Sequence, residues 1–231
     1  MAISRSRLDR FISEKCNINR KLVRLMVAKN RLTVDGVVVD NVALPINKFS
    51  VICLDGNILQ KQQAHYIMLN KPIGVVCATK DSEHKTVIDL LDDKDFPDKH
   101  ELHIVGRLDL NTSGLVLLTN DSRWSEQLTS PINKVEKHYL VTLKNPLTDD
   151  YIKAFKEGMY FEYEDITTLP AKLEILSTYQ AKVVLMEGKY HQIKRMFGRF
   201  RNPVVALHRT AIDRFQLDES LAEGQSKRLE L

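Results

Sequence analysis

The chain has 231 residues, of which 43% are hydrophobic and 28% are charged, and its formal net charge is +4. This composition is typical of a globular protein and excludes a largely disordered, collagen-like or low-complexity chain. The apolar runs are far shorter than the roughly 18 residues of a membrane span, and three widely spaced cysteines fit neither a disulfide framework nor a zinc site. Because the N-terminus also lacks the apolar core of a secretory leader, we expect a cytoplasmic protein with no membrane partner.

The basic residues are concentrated in two segments. Residues 1–31 contain nine lysines and arginines against two acidic residues, and residues 188–214 contain seven against one. Each cluster alone is typical of a solvated helix face, but two clusters on an otherwise acidic chain favour a polyanion partner such as nucleic acid.

The first 60 residues predict a compact module of two short helices and a small sheet. Ser6 and Asn19 are the predicted N-caps of the two helices. Asp35-Gly36, between two runs of β-branched residues, predicts a tight hairpin. The polar segment 57–64 is typical of a linker, so we expect domains over residues 1–60 and 61–231.

The second part of the chain alternates longer strands with helices, which predicts an α+β fold with a largely antiparallel sheet. It contains no glycine-rich phosphate loop, and its histidines have no metal-ligand spacing. Strands are predicted over 66–70, 74–77, 103–105, 115–119, 138–143, 171–175, 181–186 and 204–207, and helices over 86–91, 122–129, 149–157 and 192–200.

One loop of this second part carries a candidate catalytic carboxylate. The segment Gly106-Arg-Leu-Asp-Leu-Asn-Thr-Ser-Gly114 follows a predicted strand and precedes another, so Asp109 is placed where it can face a cleft. On residue types alone, an ordinary turn with Asp109 in an Arg–Asp pair or an Asx-turn is the commoner explanation.

The N-terminal segment resembles a known RNA-binding module. Arg7-Leu-Asp-Arg-Phe-Ile, the second basic helix and Arg31-Leu-Thr-Val-Asp-Gly are similar to a module first described in a small-subunit ribosomal protein, over most of residues 5–55. The resemblance implies that the helix pair binds structured RNA. The implied contacts are Arg5, Arg7, Arg20, Lys21, Arg24 and Arg31.

Four later segments, in order, resemble the motifs of RNA pseudouridine synthases. They are Asn70-Lys-Pro-Ile-Gly74, Gly106 to Asp121, Glu136-Lys-His-Tyr-Leu140 and Glu187-Gly-Lys-Tyr-His-Gln-Ile-Lys-Arg-Met-Phe197. With the N-terminal module, the match covers nearly the whole chain. It implies a pseudouridine-synthase catalytic domain and an isomerase that needs no cofactor and no metal.

The resemblance assigns catalytic roles to Asp109, Tyr139 and Lys194. Asp109 would act at the ribose, and Tyr139 would stack on the extruded uracil. Lys194 stands where most of the superfamily has an arginine paired with the catalytic aspartate, and a lysine cannot fork onto both carboxylate oxygens. Ile193 and Leu207 are the expected apolar wall of the uracil pocket, although plain core packing explains them equally well.

The resemblance also implies RNA contacts around the catalytic loop. Arg107 would clamp a phosphate or fill the space left by the extruded nucleotide, since a base inside a stack is out of reach. The other implied contacts are Lys71, Lys189, His191 and Arg195.

Two residues indicate the subgroup. Where synthases of the large ribosomal subunit tend to carry Asn-Arg, this chain has Tyr190-His191, as in bacterial small-subunit enzymes. The expected partner is therefore 16S rRNA or a small-subunit assembly intermediate. The expected target is uridine 516, and we expect the protein to act as a monomer. The alternatives are a large-subunit rRNA synthase and a non-catalytic RNA-binding assembly factor.

Overall fold

The computed structural model describes residues 6–230, which fold as two compact units. The first unit comprises residues 6–64 with Asp121–Arg123, and the second comprises residues 65–120 and 124–230. No helix within residues 6–230 combines the length and the apolar character that a bilayer span requires. Arg5, one of the predicted RNA contacts, lies outside the described residues.

The first unit packs two helices against small sheets. Strands β2, β3, β5 and β6 form one antiparallel sheet in the order β3-β2-β5-β6, and β1 pairs with β4. The fully buried side chains of Leu8, Ile12, Leu32 and Ile52 form the centre of its core. The elements are β1 (Ser6–Arg7), α1 (Leu8–Cys16), α2 (Arg20–Ala28), β2 (Leu32–Val34), β3 (Val37–Val38), β4 (Pro45–Ile46), β5 (Ile52–Leu54) and β6 (Asn57–Gln60).

One of the two predicted helix caps is confirmed. The Asn19 side chain accepts a hydrogen bond from the Lys21 backbone N–H at 2.9 Å and so caps α2. The prediction for Ser6 is wrong, because Arg7 occupies the N-cap position of α1 and caps nothing with its side chain. Its guanidinium instead binds Asp9 at 2.9 Å, which holds the pKa of that carboxyl below its ordinary value.

The hairpin turns follow the predicted chemistry, and one of them corrects the linker. Asp35 and Gly36 have φ values of 52° and 81°, the left-handed pair that a tight primed hairpin turn requires. Asp55 and Gly56 repeat this conformation, with φ of 52° and 81°. The start of the predicted linker is therefore the strand β6, which pairs with β5.

The second unit is built on one large sheet with helices on both faces. Its main strands run in the order β13-β14-β10-β15-β9-β7-β17, with β8 on β9 and β16 on β15. Among the described strands of this sheet only β15 and β9 pair in parallel, which confirms the α+β fold with a largely antiparallel sheet. The strands of this sheet are β7 (Tyr66–Lys71), β8 (His103–Val105), β9 (Ser113–Thr119), β10 (Lys137–Leu143), β13 (Lys172–Ser177), β14 (Gln180–Leu185), β15 (Val204–Ile212), β16 (Phe215–Gln216) and β17 (Ser226–Arg228). The strands β11 (Tyr160–Phe161) and β12 (Ile166–Thr167) form a separate pair. The helices are α3 (Ser122–Thr129), α4 (Asp149–Glu157) and α5 (Gln192–Gly198).

Two predicted elements of this unit are wrong. Residues 74–77 form no strand and residues 86–91 no helix; a single bridge between Val76 and Thr86 joins them, and turns make up the rest. Their apolar side chains, among them Val75 and Val87, are nonetheless buried in the core. Periodicity identified which residues are buried but not the backbone that buries them, since short apolar runs fit several conformations.

The seven-residue loop 106–112 between β8 and β9 is held at its start by a buried arginine. Arg209 on β15 is 1% exposed, and its guanidinium donates hydrogen bonds to the carbonyl oxygens of Gly106 at 3.0 Å, Arg107 at 3.3 Å and Leu115 at 2.8 Å. No carboxylate in residues 6–230 pairs with it. Backbone carbonyl groups are thus its partners, and they fix the start of the loop.

A buried lysine holds the other end of this loop. Lys71, at the end of β7, is 0% exposed, and its Nζ donates to the carbonyl oxygens of Thr112 at 2.7 Å and Pro72 at 2.9 Å. Burial lowers the pKa of this ammonium. The prediction that Lys71 contacts RNA is therefore wrong, because the side chain faces the protein interior.

We predict that Arg209→Lys destabilises the second unit. The variant keeps the positive charge, but one ammonium nitrogen cannot occupy the positions of Nε, Nη1 and Nη2, which bind three separate carbonyl oxygens. Each buried carbonyl left without a partner costs about 1–3 kcal/mol, so chemical denaturation should show a loss of at least that size. The exposed Arg201, substituted by Lys, is the matched control. Equal losses in both variants would contradict the proposed support of the loop.

We also predict that Gly114→Ala is strongly destabilising. Gly114 has φ +104°, and a Cβ there would lie 2.3 Å from the carbonyl oxygen and 2.7 Å from the nitrogen of Arg209. Since that neighbour is backbone of the paired strand, the clash forces β9 away from β15, at a cost of about 3 kcal/mol or more. Gly224→Ala, at φ +83° with its nearest contact at 4.0 Å, isolates the conformational cost of about 1 kcal/mol. Similar unfolding midpoints for the two variants would refute the packing argument.

Candidate active site

Asp109 lies at the middle of the supported loop and faces the start of α5. Its side chain is 32% exposed, and the turn that presents it is closed by a hydrogen bond from Thr112 N to Asp109 O at 3.1 Å. Lys194 Nζ lies 3.3 Å and His191 Nε2 lies 3.4 Å from the same carboxylate oxygen, Oδ2. Residues 85 positions apart in sequence therefore form the predicted Asp109–Lys194 pair.

Tyr139 enters the same cleft from the sheet. It lies on β10, where alternate residues point to opposite faces, and it shares the inward face with Val141. Tyr139 is only 8% exposed, so it is not a surface residue of the strand. Leu207 on the neighbouring strand β15 pairs with Val141 and continues this face.

The cleft combines a charged rim with an apolar wall, around a cavity of about 100 Å³. Ile193 and Leu207 are buried in the apolar core and also line the cleft, and their role as the wall of a uracil pocket stays a prediction. Arg107 and Lys189 lie on the rim. The hydroxyl of Thr112, also in the lining, is buried and has no hydrogen-bond partner among residues 6–230.

A glutamine fixes the segment that leads into α5. Gln192 is 3% exposed; its Oε1 accepts from Lys189 N at 3.0 Å and its Nε2 donates to Glu187 Oε1 at 2.8 Å. These two bonds tie the Glu187–Gln192 turn to itself. They support the turn from which His191 and Lys194 approach Asp109 Oδ2.

The predicted RNA contacts of the first unit differ in how much free charge they present. Arg7 and Arg31 are bound to Asp9 and Asp55, so their charges are locally compensated. Of these predicted contacts, Arg20, Lys21 and Arg24 on α2 are exposed and form no ion pair among residues 6–230.

Around the cleft the predicted contacts also fall into two groups. Arg107 is exposed beside the catalytic loop, whereas Arg195 is bound to Glu164 at 2.5 Å and lies over the ring of Phe161 at 3.7 Å from its centroid. The charge of the Arg195 guanidinium is locally compensated by the Glu164 carboxylate. The hydrogen bond from Arg195 lowers the pKa of Glu164.

Arg209 is the residue of this region that the sequence reasoning missed. The pattern that identifies it is simple: Leu207 was assigned to the pocket, and strand alternation places Arg209 on the same inward face. A charged residue on the inward face of a strand needs buried partners.

Within residues 6–230, no group of three His, Cys, Asp or Glu side chains is arranged to hold a metal ion.

Comparisons with known proteins identify the family of this chain. The family described as RNA pseudouridylate synthase matches residues 65–198. The ribosomal small subunit pseudouridine synthase A of Salmonella typhimurium is 43% identical over 224 residues, which cover 96% of each chain, and that of Pseudomonas aeruginosa is 44% identical over 221 residues, which cover 94% of each.

A solved structure gives the same result at the level of the fold. A crystal structure of a pseudouridylate synthase superposes with a TM-score of 0.69 at 40% identity and covers 97% of this chain and 96% of its own. These matches confirm the family that the four sequence motifs indicated. The chain belongs to the RNA pseudouridylate synthases, an isomerase family, within the group of the small-subunit enzymes A.

Proposed function

We propose that this protein converts uridine 516 of 16S rRNA to pseudouridine in the cytoplasm, as a monomer, on free rRNA or on a small-subunit assembly intermediate. The names of its relatives, ribosomal small subunit pseudouridine synthases A, support the choice of RNA. The observation that carries the chemistry is the Asp109 carboxylate, held beside Lys194 at the edge of a cleft with an aromatic and apolar interior.

The reaction is an isomerisation whose atoms balance within the nucleotide. The N1–C1′ bond breaks, the uracil turns in the site and its C5 joins C1′, while a proton leaves C5 and another is gained at N1. A carboxylate suits the glycosidic centre. Asp109 has two routes, addition to C1′ or removal of a C2′ proton, and both need an ionised carboxylate with one oxygen directed at the ribose.

The cleft supplies the other requirements of this reaction. Tyr139 offers a ring face on which the uracil stacks, which contributes about 1–3 kcal/mol per base in comparable sites. Ile193 and Leu207 form an apolar wall that holds the detached base while it turns. The ammonium of Lys194, at 3.3 Å, supplies the counter-charge to Asp109.

Access to the uridine requires its extrusion from the RNA, because a stacked base cannot reach the carboxylate. Arg107 stands two residues before Asp109, is exposed at the cleft, and is placed to bind a phosphate or occupy the vacated stack. Lys189 also lines the cleft, but its Nζ lies 3.4 Å from Glu187 Oε2, so its charge is locally compensated.

We assign rRNA binding in the first unit chiefly to α2. Arg20, Lys21 and Arg24 project from one short helix into solvent without carboxylate partners among residues 6–230. Uncompensated cations release counterions from RNA when they bind phosphates, whereas Arg7 and Arg31 must first give up an ion pair.

We predict that Asp109→Asn abolishes the isomerisation and leaves RNA affinity nearly unchanged. The amide has the size of the carboxylate but cannot attack the ribose or take a proton. The measurement is tritium release from a 16S rRNA fragment labelled at uridine C5, beside a filter-binding titration at equal salt. Affinity should stay within about threefold, a difference below 1 kcal/mol.

Asp150→Asn, at an exposed position of α4, is the matched control and should release tritium at the rate of the unmodified protein. Tritium release by Asp109→Asn well above background would remove Asp109 from the mechanism. Loss of binding together with activity would show instead that Asp109 only supports its loop.

We predict that replacing Arg20, Lys21 and Arg24 together by Gln flattens the salt dependence of rRNA binding. Each lost phosphate contact lowers the slope of log affinity against log salt by about 0.7–0.9, so the three substitutions should lower it by about 2. A variant with Lys94, Lys153 and Lys156 replaced by Gln removes the same charge from exposed positions elsewhere. An unchanged slope in the α2 variant, or an equal change in both variants, would contradict this assignment.

A further inference from the structure

His191 lies in an unusual conformation at the entrance to α5. It precedes the helix with φ 49° and ψ 30°, in the left-handed region, which few non-glycine residues adopt and which histidine adopts more often than most. A histidine held there costs conformational free energy, and such positions are typical of functional sites. From this position the His191 side chain lines the cleft.

The imidazole and the Lys194 ammonium converge on one oxygen of Asp109. His191 Nε2 is 3.4 Å and Lys194 Nζ is 3.3 Å from Oδ2. No side chain or backbone group of residues 6–230 binds Oδ1. The two contacts therefore distinguish the carboxylate oxygens, one bound by the protein and one without a partner among residues 6–230.

The imidazole is itself held in place by Tyr190. The two rings are stacked with centroids 3.9 Å apart and planes inclined by 18°. The carbonyl oxygen of Tyr190 accepts a hydrogen bond from Arg195 Nη1 at 3.4 Å, and Arg195 is in turn bound to Glu164. The stacked Tyr190 ring limits rotation of the imidazole, and the hydrogen bond to the Tyr190 carbonyl holds the backbone that precedes His191.

We propose that His191 is a positioning residue, which together with Lys194 fixes Asp109 Oδ2 so that Oδ1 faces the ribose. The inference rests on the proposed role of Asp109 in the isomerisation. It replaces the expectation that His191 is an RNA contact. It also gives the Tyr190-His191 pair a function: the tyrosine holds the ring that orients the carboxylate.

Two substitutions separate this role from a purely conformational one. In His191→Gln, the side-chain nitrogen can reach the place of Nε2, whereas in His191→Asn it reaches only as far as Nδ1. Asparagine is the better fit to the left-handed backbone, so a conformational role predicts that Asn performs better than Gln. A positioning role predicts the opposite order.

The readouts are the single-turnover rate of tritium release with saturating protein and the Kd for the same 16S rRNA fragment. We expect His191→Asn to slow turnover by about tenfold or more, the scale of one polar contact with a charged group, and His191→Gln to slow it by less than about threefold. Both variants should bind RNA with unchanged Kd, whereas an RNA contact would raise Kd in both.

His84→Asn is the matched control, because His84 makes a similar contact of 3.3 Å with Asp81 in an exposed loop outside the cleft, and its rate should not change. The inference is overturned if His191→Asn turns over as fast as His191→Gln, or if weaker RNA binding accounts for the lost activity. Either result leaves the proposed function intact, since that depends on Asp109→Asn alone.

Discussion

The active-site loop depends on two buried cations that bind backbone carbonyl groups. Removing an ion from water costs several kcal/mol, yet Lys71 and Arg209 are both fully buried without a carboxylate partner among residues 6–230. The cost is offset by hydrogen bonds to the carbonyl oxygens at the two ends of loop 106–112. Loops are ordinarily the mobile part of a fold. Here the interior of the protein holds both ends, so Asp109 has a defined position before any RNA is bound.

The sheet brings the second wall of the cleft to this loop. The parallel pairing of β15 with β9 starts where the loop ends, at Ser113 and Gly114. Because Gly114 has no side chain, the backbone of Arg209 can approach it closely. The same strand thereby delivers Leu207 to the cleft and Arg209 to the loop, and β10 adds Tyr139 beside them.

Much of this arrangement could be predicted from the sequence where the determinants are local. The cap at Asn19 and the Asp35-Gly36 turn depend on the chemistry of one or two residues, and both are confirmed. The predicted strand at 74–77 and helix at 86–91 are wrong, because their apolar residues pack into the core through turns that periodicity does not describe.

The errors in the site have a common physical origin. A sequence shows that a residue is charged but not whether it is buried, so Lys71 was assigned to RNA while it holds a loop. Arg209 was missed for the same reason. The motif positions of Asp109, Tyr139 and Lys194 came from family resemblance, and their meeting in one cleft depends on strand pairing between distant segments, which no local pattern encodes.

The central claim is that this cleft modifies one uridine of the small-subunit rRNA. The most direct test is carbodiimide mapping of pseudouridine in the 16S and 23S rRNA of cells that lack this protein and of cells in which it is restored. We expect one pseudouridine, at position 516 of 16S rRNA, to be absent without the protein and to return with it. An unchanged 16S pattern, or a loss confined to 23S rRNA, would contradict this function.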